Sequence, residues 1–222
     1  PTGERHHATY ILAPRPTDRV ALLVHGYEDN GMGMMHIASI YHHMVFNLLL
    51  PDLHAHGRSE GEAVQMGWLD RLDVMRWMEV ANSRFGHDGS TRMVLHGVSM
   101  GAATVMCVSG ETLPSYVKCF VEDCGYTSAW DEFEGELHDR FGLPAFPLLH
   151  ACSALCRLRY GWSFDEASPL RQVARCHKPM LFIHGDRDTF VPFSMLARLY
   201  AAKPQPKAQW LSLIHISEPT RP

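Results

Sequence analysis

One serine lies at the centre of a pentapeptide, residues 97–101, that reads G-V-S-M-G. It follows a short apolar run at 93–96 and precedes a run of small residues at 102–109. A strand before and a helix after predict a tight turn that projects the Ser99 hydroxyl above a sheet. Glycine two residues away on either side tolerates the crowding of such a turn. The helix would point its backbone N–H groups at developing negative charge. We therefore predict that Ser99 is a nucleophile.

A second motif, His25-Gly26-Tyr27, ends an earlier apolar run at residues 20–24 and opens a loop. Acyl transfer through a serine passes through a tetrahedral oxyanion, which needs two N–H donors. The backbone of Met100, the residue after Ser99, would supply one donor. The backbone of Tyr27 would supply the other, so the two motifs together predict an oxyanion hole.

Two acids compete for the role of orienting a catalytic histidine. Both lie in the segment H-G-D-R-D-T-F-V-P at residues 184–192. Asp188 lies deeper in this loop, just before V-P and the next helix, and is the predicted acid. Asp186 is expected to cap or brace the turn. Asp123, at the end of the preceding strand, is a third candidate.

The elements that would position these residues alternate between strand and helix. Apolar runs predict strands at residues 20–24, 45–50, 93–96, 117–122 and 180–184, and helical patterns occupy residues 34–43, 68–85, 102–109 and 193–202. Apolar strands alternating with helices imply an α/β fold with a mostly parallel sheet that carries helices on both faces. The active site of such a sheet lies at the carboxyl ends of the strands, where the motifs fall.

The alternation breaks between Tyr126 and Pro169. This stretch contains several aromatic residues and two separate prolines, and it predicts an irregular, partly helical insertion. We therefore expect one domain over residues 1–210, with a small cap insertion at about residues 126–169.

The composition excludes some partners. The chain has 222 residues, 46% hydrophobic and 20% charged, with a formal net charge of −4, as in an ordinary globular domain. It has no basic stripe interleaved with aromatic residues, so we expect no nucleic-acid partner. No apolar run approaches the ~18 residues of a membrane span, and no signal peptide is visible. Because the chain starts without a methionine, a cytoplasmic protein and one with an N-terminal membrane anchor both stay open.

Histidines and cysteines raise the question of a metal. The histidine pairs at residues 6–7, 42–43 and 54/56 have no carboxylate or cysteine partners at ligand spacing. The six cysteines form no C-x-x-C pair and are expected to be reduced thiols. We therefore predict no metal site and no cofactor.

Four motifs occur together in one order: H-G at 25–26, D-x-x-x-x-G-x-S at 52–59, G-x-S-M-G at 97–101 and H-G-x-x-D-x-x-V-P at 184–192. From about residue 20 to 210 the chain resembles the α/β-hydrolase superfamily, in which the nucleophile precedes the acid and the acid precedes the histidine. It looks most like the branch of lysophospholipase-like and serine-aminopeptidase-like hydrolases, which carry a cap at the position of residues 126–169.

The resemblance implies a serine hydrolase that cleaves esters, thioesters or amides through an acyl-enzyme. Its partner would be a small-molecule acyl substrate or a peptide. A non-catalytic binding protein of the same fold, and a hydrolase of carbon–carbon bonds, are the alternatives. The sequence leaves the oligomeric state open.

The family pattern also requires a histidine after the last strand, and His215 is the candidate. However, residues 211–221 resemble the in-frame translation of a transposon-derived sequencing adapter. No glycine precedes His215, and no helix follows it. We therefore predict that residues 211–222 are a non-native tail, that the chain is truncated at both ends, and that this copy lacks its catalytic histidine and is nearly inactive.

Overall fold

The computed structural model describes residues 3–86, 90–186, 188 and 190–212. Its strands are β1 (Ala8–Ile11), β2 (Arg19–Val24), β3 (Asn47–Pro51), β4 (Arg92–Val98), β5 (Val117–Asp123), β6 (Met180–Gly185) and β7 (Lys207–Ser212). Its α-helices are α1 (Met35–His43), α2 (Asp70–Phe85), α3 (Met100–Ser109), α4 (Ala129–Phe141), α5 (Leu148–Tyr160), α6 (Pro169–Val173) and α7 (Phe193–Ala202), and a short 3₁₀ helix, Gly31–Met34, precedes α1.

The strands form one sheet in the order β1-β3-β2-β4-β5-β6-β7. β1 pairs antiparallel with β3, and every other neighbouring pair is parallel. The carboxyl ends of β4, β5 and β6 therefore lie side by side along one edge. This arrangement confirms the predicted fold class, an α/β hydrolase with a mostly parallel sheet.

The alternation of side chains along β2 shows why its sequence is apolar throughout. Val20, Leu22 and Val24 belong to the core that includes residues of α2, α3 and α7. Ala21 and Leu23 belong to the second core, which includes residues of the 3₁₀ helix and α1. Because helices cover both faces of the sheet, successive residues of the strand are all buried.

Several boundaries differ from those expected. α2 begins at Asp70 and not at residue 68, and β3 covers residues 47–51 and not 45–50. Val45 has a φ of 64°, which ends the turn after α1 and is incompatible with a strand. The sequence did not predict β1 or β7. β1 has only four residues, and most of β7 is exposed, so neither strand forms a long apolar run. β7 extends to Ser212, two residues past the expected domain boundary at 210.

The chain between β5 and β6 contains α4, α5 and the short α6, over the span expected to form a cap. The Ala129 N–H at the start of α4 donates to the Ala167 carbonyl, and the Phe164 N–H donates to the Ser153 hydroxyl of α5. The return segment thus fastens both helices to each other. Within the described residues no helix is long and apolar enough to cross a membrane.

Candidate active site

Ser99 occupies the tight turn between β4 and α3. Its backbone has φ 55° and ψ −119°, a sparsely populated conformation for a residue with a side chain, which costs on the order of 1–3 kcal/mol. Its N–H donates to the Asp123 carbonyl at 2.8 Å, and its carbonyl accepts from the Ala103 N–H at 3.0 Å. The turn therefore has the strained strand-to-helix geometry that the pentapeptide predicts, with the serine 9% exposed.

The two glycines of the pentapeptide lie against backbone. A Cβ placed on Gly97 would be 2.1 Å from the Gly101 carbonyl oxygen, and a Cβ on Gly101 would be 2.1 Å from that of Val24. No side chain fits at either position without moving the backbone. The predicted reason for glycine at both sites is confirmed.

The residues expected to donate to an oxyanion lie on segments that adjoin Ser99. A Cβ placed on Gly26 would be 3.4 Å from the Ser99 Cβ, so the loop that leads into Tyr27 passes directly beside the serine. Met100 is the first residue of α3 and is buried, whereas the Tyr27 side chain is exposed. The structure thus brings both segments to the turn at Ser99.

The His25 side chain braces this loop, a role that the sequence analysis did not assign. The Leu53 N–H donates to His25 Nε2 at 3.0 Å, so the ring proton lies on Nδ1, which donates to the Gly26 carbonyl at 2.7 Å. Burial lowers the pKa of His25 and favours this neutral tautomer. The sequence signal that could have indicated this role was a histidine at the end of an apolar run.

Asp52 and Ser59 organise the loop after β3. The Asp52 carboxylate accepts from the N–H groups of Gly31 at 2.7 Å and Arg58 at 2.8 Å, and lies 2.9 Å from the His7 ring. Although burial alone raises it, the Arg58 and Gly31 N–H groups and His7 hold the pKa of Asp52 below its ordinary value. The Ser59 hydroxyl donates to the Asp52 carbonyl at 2.7 Å.

Asp188 is buried just beyond the end of β6. Its Oδ1 accepts from the N–H groups of Phe190 at 2.9 Å and Val191 at 3.0 Å, and its Oδ2 lies 3.7 Å from His184 Nε2. Asp186 is exposed, and its side chain makes no hydrogen bond to the described residues. Asp188 itself therefore braces the turn through these two bonds, and a bracing role for Asp186 stays a prediction.

Ser99, Asp123 and Asp188 follow three adjacent strands, β4, β5 and β6. Neighbouring strands are separated by about 4.8 Å, so the ends of β4 and β6, which lead into these two residues, are on the order of 10 Å apart along the edge. An imidazole between a serine and an acid would span such a distance. His215 lies outside the described residues.

The histidines and cysteines were the candidate metal ligands. The described residues include no group of three or more His, Cys, Asp or Glu that could hold a metal ion. All six cysteines are free thiols. Burial raises the pKa of the Cys107 thiol to about 12, which makes it an unreactive core residue.

The sheet order and the strained serine turn at the carboxyl edge define an α/β hydrolase. The family model of the prolyl oligopeptidase family, Peptidase_S9, matches residues 63–216. This match covers more than half of the chain, and the chain belongs to that family. Whether it falls in the lysophospholipase-like and serine-aminopeptidase-like branch stays a prediction.

Other known proteins are similar to this chain in sequence or in fold. The uncharacterized protein YqkD of Bacillus subtilis is 28% identical over 203 residues, which are 91% of this chain and 66% of YqkD, so the chain spans less than two thirds of that relative. The fold resembles Pyrococcus furiosus esterase Pf2001, with a TM-score of 0.68, 19% identity, and coverage of 96% of this chain and 85% of the esterase. It also resembles acetyl xylan esterase 1 of Thermoanaerobacterium, with a TM-score of 0.67, 18% identity, and coverage of 99% and 76% respectively.

Proposed function

We propose that this protein hydrolyses esters, thioesters or amides of carboxylic acids through an acyl-enzyme formed on Ser99. The observation that carries the proposal is the strained backbone of Ser99, with the His25–Gly26 loop at one side and the first turn of α3 at the other. Strain of this kind persists at functional sites, because the surrounding structure must compensate for its cost.

Each step except proton transfer has a residue of this chain to perform it. The Ser99 hydroxyl attacks the carbonyl carbon while its proton passes to a histidine base, and the backbone N–H groups of Met100 and Tyr27 stabilise the oxyanion. The base then returns the proton to the leaving group, and water attacks the acyl-enzyme to release the acid. Asp188 orients the imidazole, and the sequence predicts no cofactor.

The substrate is proposed to be a small acyl compound or a peptide. Pf2001 and acetyl xylan esterase 1 are named as esterases, which favours an ester among the three bond types. The insertion at residues 126–169 is proposed to act as a cap that shapes the acyl or leaving-group pocket.

The histidine base is proposed to lie in native sequence beyond Trp210, in place of residues 211–222. A serine without an adjacent base is a poor nucleophile, so the chain as printed is expected to turn over substrate very slowly. Free imidazole can occupy the site of a missing histidine side chain and accept the serine proton.

The test is fluorophosphonate labelling of the chain with and without imidazole, with the modified residue located by mass spectrometry. We expect imidazole to accelerate labelling of Ser99 at least tenfold, and Ser99→Ala to abolish it. Asp188→Asn should reduce the acceleration, because the imidazole loses its orienting carboxylate. Ser115→Ala, at an exposed serine far from the motif, is the matched control and should label normally.

Labelling spread over several serines, or equal labelling of wild type and Ser99→Ala, would contradict the proposal. A folded protein that does not react at Ser99 with imidazole present would instead favour the non-catalytic binding protein of the same fold.

A further inference from the structure

The cap helix α4 buries a carboxyl group that the proposed mechanism does not use. Ser128 caps the helix by accepting the Asp131 N–H at 3.0 Å, and Ala129 and Glu132 are its buried residues. Because residues three apart lie on one face of a helix, both face the protein. Glu132 is only 6% exposed, although it is an ionisable residue.

Contacts at both ends of α4 place Glu132 beside the loop that carries Asp188. In the first turn, Asp131 pairs with Arg198 of α7 at 2.9 Å. In the last turn, the Arg140 guanidinium lies 5.9 Å from the centre of the Phe190 ring. The loop with Asp188 connects β6 to α7 and includes Phe190, so α4 runs along this loop between the two contacts.

The Glu132 carboxylate has no hydrogen bond or ion pair with the described residues. The cations nearest to it along α4 and α7 have other partners, since Arg198 pairs with Asp131 and Arg140 with Glu136. Among the described residues its charged neighbours are acidic: burial first, then Glu136 and Asp188, raise the pKa of Glu132 to about 8. Without a cation beside it, the negative charge of the Glu132 carboxylate contributes nothing to the stability of the protein.

The carboxyl tip of Glu132 nevertheless reaches solvent, because neither of its oxygens is among the enclosed polar atoms that lack a hydrogen-bond partner. A ligand can therefore approach the carboxyl group, although the residue as a whole is only 6% exposed. Acidic neighbours and a small exposed fraction suit a group that supplies both positive charge and N–H donors. An ammonium ion supplies both, and its hydrogen bonds to a carboxylate are charge-assisted.

We propose that Glu132 is a specificity-determining residue that binds an ammonium group of the substrate while the acyl carbon lies at Ser99. The inference rests on the proposed function, because it assigns the ammonium group to the molecule whose acyl group Ser99 attacks. The substrate class that it identifies is an ester, thioester or amide that carries a primary or secondary amine.

The test compares a cation with a neutral molecule of the same length. Butylammonium and 1-butanol are titrated as protectants of Ser99 against fluorophosphonate, in the presence of imidazole. We expect butylammonium to protect at a concentration about tenfold lower than butanol, because the hydrogen bonds between an ammonium ion and a carboxylate are charge-assisted. In Glu132→Gln this ratio should fall to about one.

Glu136→Gln is the matched control, because it removes a carboxylate one turn further along the same helix. It should keep the preference for butylammonium. Equal protection by the two compounds in the wild-type chain would overturn the proposal. So would an unchanged ratio in Glu132→Gln, or a loss of the ratio in Glu136→Gln as large as in Glu132→Gln.

A second measurement separates this proposal from the proposed function. If Ser99 does not react with fluorophosphonate, the proposed function fails, and binding is then followed by thermal unfolding of Ser99→Ala. Butylammonium should raise its Tm more than butanol does, and the difference should vanish in Ser99→Ala/Glu132→Gln. The same Tm rise in both variants would overturn the ammonium site.

Discussion

The backbone conformation of Ser99 costs free energy, and hydrogen bonds to neighbouring residues hold it in place. The Asp123 carbonyl fixes its N–H, and the N–H of Ala103 fixes its carbonyl. The flanking glycines let β4 and α3 approach so closely that their backbones nearly touch. At the scale of single residues, the site is therefore defined by backbone geometry as much as by side-chain chemistry.

A methyl group at Gly97 should disrupt this geometry. Gly97→Ala places a Cβ 2.1 Å from the Gly101 carbonyl oxygen, and overpacking of this kind costs about 1–3 kcal/mol or more. Gly135→Ala is the control, because within the described residues nothing lies within 4 Å of its Cβ. In the middle of α4 the alanine should stabilise by about 0.5–1 kcal/mol. Urea unfolding of both variants tests this, and equal stability of the two would contradict it.

Asp70 should make stability depend on pH. Burial first, opposed by the Gly67 N–H and aided by Asp73, raises the pKa of Asp70 from 3.8 to about 7. Between these values the folded state holds a proton that the unfolded chain releases. Its contribution to stability is therefore complete below about pH 4 and is lost as the pH rises to about 7.

Asp70→Asn should remove this loss, so its free energy of unfolding, measured by urea titration, should fall less than that of wild type between pH 4 and 7. Asp18→Asn is the control of opposite sign, because the hydrogen bond from Arg92 lowers the pKa of Asp18. If the pH dependence of Asp70→Asn equals that of wild type, Asp70 is not protonated in the folded state.

At the scale of elements, α4 is the helix on which the further inference depends. It ends at Gly142, whose φ of 63° suits a glycine after a helix. Its first turn is fixed by the Ser128 cap and by the pair between Asp131 and Arg198. These contacts hold Glu132 in register with the loop of Asp188.

Removing the cap should loosen this turn. Ser128→Ala deletes the acceptor for the Asp131 N–H and should lower the free energy of unfolding by about 1 kcal/mol. Hydrogen exchange of the first amides of α4 should accelerate correspondingly. Ser128→Asp keeps an acceptor at the same position and should restore most of the protection. Equal exchange in all three proteins would show that tertiary contacts alone hold the turn.

At the scale of the whole molecule, the sheet assembles the site. The proposed nucleophile, oxyanion loop and acid come from three separate parts of the sequence. They meet because β2, β4, β5 and β6 are adjacent and parallel, so that their carboxyl ends lie at one edge. The two cores on the faces of the sheet hold that edge in place.

His215 is the one histidine that follows Asp188 in the sequence, as the catalytic base of the family does. We expect it to take no part in the reaction of Ser99. His215→Ala should leave the rate of fluorophosphonate labelling, and its acceleration by imidazole, unchanged within twofold. A loss of labelling that imidazole restores in His215→Ala would identify His215 as the base. Residues 211–222 would then have to be regarded as native.

The sequence by itself determined the fold class, the tight turn at Ser99 and the choice of the 184–192 segment as the source of the acid. These are local properties, because strand and helix periodicity and the need for glycine in a turn are readable within a few neighbouring residues.

Tertiary structure alone decided the pairing of β1 and β7, the role of His25, the burial of Glu132 and the hydrogen bonds by which Asp188 braces its turn. Each depends on partners distant in sequence: β1 pairs with β3, and His25 accepts from Leu53. Glu132 looks like an ordinary surface residue of an acidic helix until α4 packs beside the loop of Asp188. Burial and hydrogen bonding between remote segments arise only when the chain folds, so no local pattern carries them.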